Sequence, residues 1–204
     1  MFSLLAASPL AFVIMFGGLI LSLTIHEFAH AFMADRLGDP TPRMQGRLTL
    51  NPLAHLDPVG TLLLLFTRFG WGKPVMFDPD NLRNPLRDTA LIALAGPVSN
   101  IILALLCAIV IHLSPESILS LVLSQIIFIN LSLAIFNLVP IHPLDGGKII
   151  LALLPPDTAM EYDHFMHQYG MFVLIALILP IYNGAAQVNF LITPIINAIA
   201  NLLL

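Results

Sequence analysis

The chain has 204 residues, 58% of them hydrophobic and 10% charged, with a formal net charge of −4 and a mean hydropathy of +0.92. Soluble domains carry about 25% charged residues, so this composition belongs in a bilayer. The small charge, with no basic cluster interleaved with aromatics, excludes a nucleic-acid surface, and a lone cysteine, Cys107, excludes an intrachain disulfide.

In chain order, the first apolar run covers residues 6–34 and is long enough to span a membrane. It lacks a basic leading region and carries the polar stretch "HEFAH" where a cleavage site would have to lie, so it reads as part of the mature fold rather than as a signal peptide. Residues 43–50, "RMQGRLTL", alternate polar and apolar and predict a strand; "KPVMF" at 73–77 is a second β-like run. Between them "PVGTLLLLFT" has ten residues, too few to cross, and reads as a re-entrant or buried segment. Residues 89–113 and 118–139 are two further spans, and 169–204, less cleanly, is either a helical tail forming a lateral gate or two spans joined by a plain turn at Pro180 and Asn183-Gly184. The expectation is an all-α polytopic membrane protein. It has about five transmembrane helices, a re-entrant segment and a small β element on the cytoplasmic side. It forms a single domain over 1–204, with a core at about 7–150, a helical hairpin at about 165–204 and no appended soluble domain.

The basic residues are Arg36, Arg43, Arg47, Arg68, Lys73, Arg83, Arg87 and Lys148. Cytoplasmic loops carry such an excess, which places the amino terminus outside and residues 36–87 and Lys148 in the cytoplasm.

"HEFAH" sets His26 and His30 four residues apart, about 6 Å along a helix axis and about 40° around it, so both can face one ion. Glu27 adds a carboxylate placed to take a proton from metal-bound water. Ionisable residues inside a span are costly and functional by default; the structural alternative is that they bond to neighbouring carbonyls. If Arg36 marks the interface, His26 and His30 lie roughly 15 and 9 Å into the hydrocarbon. A catalytic zinc needs a third protein ligand. His112 ends its run on the far side, while His55 and Asp57 lie on the near side at an unfixed depth. Asp145 follows the helix breakers Pro140 and Pro143, precedes Gly146-Gly147, and is the best-placed candidate. His142 competes with it and otherwise reads as an interfacial histidine.

"HEFAH", "LNPLAHLDPVGT", "GWGKPV", "ALAGPVSN" and "NLVPIHPLDGGK" occur in this order over residues 23–150, and together they resemble the site-2 protease family of intramembrane zinc metalloproteases. The resemblance implies one zinc ion held by His26, His30 and Asp145, Glu27 as general base, and Asn137 as a substrate contact. It also implies cleavage of peptide bonds within or near a substrate's transmembrane segment. Asn100 reads as a bond between helices, with Gly96 and Ser99 permitting close approach. The chain opens on the metal-binding helix and shows nothing like a PDZ or CBS domain. Substrate selection is therefore expected to rest on the membrane core or on a separate regulatory membrane protein. A free edge of the 43–50 strand is expected to hold the unwound substrate. Two rival readings stand beside this one. A di-iron membrane desaturase or hydroxylase would use His26 and His30 as a first box, although the seven histidines include no adjacent pair. A transporter-like protein would line a pathway with the same polar helix.

Overall fold

A hydroxyl and a proline start the first long helix. After the short α1 (Phe2–Ala7), the Ser8 hydroxyl oxygen accepts from the Ala11 N–H, and Pro9 brings a preset φ at the first helical position. The result is α2 (Pro9–Leu37), closed by Gly38 in the left-handed region. There follow α3 (Thr41–Met44), a 3-10 turn at Pro52–Ala54, α4 (Pro58–Thr67) and a second 3-10 turn at Pro79–Asn81. Then come α5 (Pro85–Leu113), capped by Asn84, and α6 (Ile118–Asn137), capped by Ser117. The chain continues through α7 (Asp145–Leu151), α8 (Pro156–Ile178) and α9 (Gln187–Leu203). The computed structural model describes residues 2–67, 70–115, 117–179 and 186–204. Arg68 and the expected turn at Pro180 and Asn183-Gly184 lie outside the described residues.

Three helices, α2, α5 and α6, are long and apolar enough to cross a membrane, so this is a multi-pass membrane protein. They pack on one another, and α7 lies against α5. Hydrogen bonds pair His30 with Ile92 and Asn100 with Ser22, so α2 and α5 run antiparallel and the end of α2 meets the start of α5. Small buried residues line these contacts: Ser22, Ala31 and Ala34 on α2, Ala93, Gly96 and Ala104 on α5, Ala134 on α6. They let the backbones approach where no water drives association. Cys107 is buried in an apolar cluster with Ile127 and Leu131 of α6 and Val188, Ile192 and Ile196 of α9.

Several expectations need correction. Residues 43–50 form no strand: Arg43 and Met44 close α3, and Gly46, at φ 67, turns the chain. The alternation there is inverted, since polar Arg47 is buried while Met44 and Leu50 are exposed. Residues 73–77 form no strand, and one antiparallel bridge, Leu56 with Gly72, stands where a small sheet was expected among the described residues. The ten-residue apolar stretch is α4, a short helix with Val59, Leu62 and Phe66 exposed. The helix expected from about 165 is α8, which starts at Pro156. Its first half carries Asp157, Glu161 and Asp163, and α9 has 17 residues, so among the described residues α2, α5 and α6 are the helices that reach spanning length and hydropathy.

Fully buried Asp39, just past α2, ties this end of the bundle together. Its Oδ1 accepts from the Thr41 N–H (3.1 Å), the Thr41 hydroxyl (2.6 Å) and the Asn81 amide (2.8 Å), and its Oδ2 from the Asp78 N–H (2.8 Å). Asp39→Ala leaves these donors without their acceptor and is expected to lower stability by about 2–3 kcal/mol. Denaturant unfolding in detergent checks this, with unchanged membrane insertion as the control.

Candidate metal centre

Polar side chains buried in a helix bundle need partners, and the two histidines of α2 find theirs on α5 and α7. His26, Glu27 and His30 occupy the buried face of α2. The Nδ1 of His26 lies 2.7 Å from the Asn100 Oδ1, and the Nδ1 of His30 lies 2.7 Å from the Ile92 carbonyl oxygen. The Asn100 amide is oriented by its own bonds, its nitrogen donating to the Ser22 carbonyl (3.1 Å) and to Asn130 Oδ1 (2.8 Å). Both imidazoles therefore face acceptors at Nδ1, which puts the proton there and leaves each Nε2 with a bare lone pair.

Those two Nε2 atoms lie 3.0 Å apart, and Asp145 Oδ2 lies 3.2 Å from one and 3.3 Å from the other. All three residues are buried, and Asp145 Oδ2 has no hydrogen-bond partner. Three electron-pair donors converging at this distance repel one another unless a cation lies between them. A tetrahedral zinc with bonds of about 2.0–2.1 Å spaces its ligands about 3.3–3.4 Å apart, so one histidine, another and a carboxylate fit it in kind and in separation. Asp145 reaches this point from the first turn of α7, where the helix end favours a negative charge.

Glu27 stands beside the cluster, its Oε2 accepting from the Val75 N–H at 3.1 Å. Gly96 sits directly against the two rings: a Cβ there would fall 2.5 Å from His30 Nε2 and 2.6 Å from His26 Cε1. Asn137, on the last turn of α6, is half-buried and donates to the Leu133 carbonyl at 2.9 Å.

The other candidates lie elsewhere. His112 donates back to Ala108 on its own helix. His55 is fully buried with Nε2 on the Thr49 carbonyl, and Asp57 accepts from the Gly60 N–H at the start of α4. The His142 ring sits 4.7 Å from that of His167 on α8 and is no part of the three-residue cluster. Burial, together with His167 and Lys148, holds the His142 pKa below the usual histidine range against the opposing charge of Asp163. Asn130, the Ile92 carbonyl and the Val75 amide have roles that sequence reasoning missed. An asparagine inside an apolar span is a signal that could have drawn attention to Asn130; the two backbone groups leave none.

A model of "Peptidase family M50" matches residues 112–181. YwhC of Bacillus subtilis (strain 168) is 41% identical over 169 residues, covering 78% of this chain and 77% of its own length. The chain belongs to peptidase family M50. Rip2 of Mycobacterium tuberculosis (strain ATCC 25618 / H37Rv) is 31% identical over 181 residues, 85% of this M50 peptidase and 70% of its own length. Rip2 of Mycolicibacterium smegmatis (strain ATCC 700084 / mc(2)155) is 30% identical over 176 residues, with 82% and 67% covered. Each of the three carries the name "Putative zinc metalloprotease". No solved structure matches significantly. Membership decides among peptidase, di-iron enzyme and transporter in favour of the peptidase.

The close approach at Gly96 and the Asn100 bond give a direct test. Gly96→Ala pushes a methyl group into both rings, and Asn100→Ala frees the His26 ring. Each is expected to weaken zinc binding about 10–100-fold while the helices still assemble, as read by metal competition titration and circular dichroism.

Proposed function

We propose that this M50 peptidase is a zinc-dependent endopeptidase that hydrolyses peptide bonds within or near the transmembrane segments of membrane-protein substrates. In this reading His26, His30 and Asp145 hold one metal ion and Glu27 is the general base. The observation that carries it is the buried convergence of two imidazole Nε2 atoms, from a membrane helix that also bears Glu27, with one unpartnered carboxylate oxygen from α7. Bound zinc supplies a Lewis acid that activates water near neutral pH and polarises a carbonyl.

The chain's own residues do the rest. The Val75 N–H holds one oxygen of Glu27, and the other has no hydrogen-bond partner among the described residues, so it can accept a proton and later pass it to the leaving amine. A substrate helix must unwind before its carbonyl is open to attack, and substrates with Gly, Pro or Asn near the scissile bond start closer to that state. Asn137 has its nitrogen tied to Leu133, which leaves its amide oxygen for a substrate N–H.

For orientation, the reading places the amino terminus outside, the site near the cytoplasmic face, and the chain in a prokaryotic cell membrane. Its support is that the basic residues gather at the end of the bundle that holds the site. Arg43 pairs with Asp35, Arg47 bonds the Lys73 and Pro74 carbonyls, and the Lys148 ammonium lies over Phe77. The apolar half of α8 and the 17 residues of α9, about 25 Å at helical rise, complete the membrane domain as two further crossings. The exposed apolar side of α4 rests in the lipid near the interface as the re-entrant element. Selection among substrates falls to this core or to a separate membrane partner.

Glu27→Gln keeps the shape of the side chain but cannot take the proton, so it is expected to retain one zinc per chain and lose cleavage of a single-span substrate. His26→Ala and Asp145→Asn are expected to lose zinc and activity together. A Glu27→Gln chain that still cleaves would remove Glu27 from its role. Orientation is checked separately by thiol labelling of Gln45→Cys in a Cys107→Ser background, where labelling is expected from the cytoplasmic side alone.

A further inference from the structure

Arg47 is 4% exposed, and among the described residues no carboxylate pairs with it. A buried guanidinium without a countercharge is costly unless its donors are all well used. Here they go to backbone carbonyls on two separate segments. One nitrogen bonds the Ala54 carbonyl; another bonds the carbonyls of Lys73 at 3.0 Å and Pro74 at 2.8 Å. The same two segments are joined by the Lys73 N–H on the His55 carbonyl (2.9 Å) and by the bridge between Leu56 and Gly72.

The Pro74 carbonyl and the Val75 N–H are the two ends of a single peptide group. That group is planar, with its oxygen and hydrogen pointing opposite ways. On one side it accepts from Arg47; on the other it donates to Glu27 Oε2 at 3.1 Å. Fixing the carbonyl fixes the direction of the N–H, and a charged donor on the oxygen polarises the group and strengthens the N–H as a donor. We propose that Arg47 is a positioning residue for the general base, orienting the Glu27 carboxylate through the Pro74–Val75 peptide group. This deepens the assignment of Glu27 and rests on it. It also couples the stretches around Arg47 and "GWGKPV", since the first supplies the clamp and the second the peptide that the clamp aims.

Lysine at position 47 keeps the charge but not the planar fork that reaches both segments, and proline at position 75 removes the N–H and fixes φ. With a fluorogenic single-span peptide in detergent micelles, Arg47→Lys and Val75→Pro are each expected to lower kcat, by about 10- to 100-fold, the scale of a misplaced catalytic group. KM and zinc content are expected to stay within about twofold of the parent. The double variant is expected to be no slower than the slower single, because both changes cut one path. Wild-type kcat in either single variant would overturn the proposal, as would multiplying defects in the double. Loss of zinc or failure to fold in Arg47→Lys would make Arg47 a structural anchor and would equally overturn it. Glu27→Gln is run alongside: retained cleavage there defeats the assignment of the base itself, independently of Arg47.

Discussion

Three bare electron pairs held about one ligand spacing apart, away from water, are the constraint on which the rest of this bundle depends. Left alone, the two Nε2 atoms and the Asp145 oxygen would drive their side chains apart; the surrounding structure exists to prevent it. Each imidazole is held from behind at Nδ1, one by a side chain on α5 and one by a main-chain carbonyl of the same helix. Asn100 can do this only because Ser22 and Asn130 occupy its nitrogen, so helices α2, α5 and α6 all contribute to the orientation of one ring. Close approach of α5 to the rings requires a residue without a side chain, and that residue is Gly96.

The carboxylate arrives by a different route. Asp145 enters the bundle from a helix end, which means breaking the chain between α6 and α7 beside the buried cluster, where unpaired backbone groups are costly. The break is made of successive tight turns: Val139 donates to Phe136, Ile141 to Val139, Leu144 to Ile141 and Gly147 to Leu144. The Tyr162 hydroxyl of α8 donates to the Pro140 carbonyl. The prolines that end α6 thus leave few groups unsatisfied, and α7 starts with its acidic residue already aimed at the histidines.

On the same end of the bundle, irregular chain between α2 and α5 is organised by two buried charges of opposite sign. Asp39 gathers N–H and O–H donors from residues 41, 78 and 81, and Arg47 gathers carbonyls from residues 54, 73 and 74. Each replaces the regular hydrogen bonding that a sheet would have provided. In 73–77 the Lys73 and Pro74 carbonyls go to Arg47 and the Val75 N–H to Glu27, while 43–50 is turned by the Gly46 N–H on the Arg43 carbonyl and the Arg47 N–H on the Pro42 carbonyl, so neither stretch pairs in a sheet.

The sequence by itself determined the membrane class, the three long apolar helices, and the residue types brought together on α2. Each of these depends on local chemistry: hydropathy over about 20 residues and two histidines one helical turn apart. Asp145 was also legible, because helix breakers around an acidic residue at the end of a span leave few alternatives. Residues 43–50 mislead because alternation ordinarily means apolar residues inside, whereas the buried residue here is Arg47. Only the tertiary structure decided which groups hold the ring nitrogens, that Gly96 makes room for both rings, and that the Val75 amide meets Glu27. Those choices involve backbone atoms and contacts between residues as far apart as Ser22 and Asn100. Every residue carries the same backbone donor and acceptor, so no one-dimensional pattern can say which of them will face a given side chain once the helices have packed.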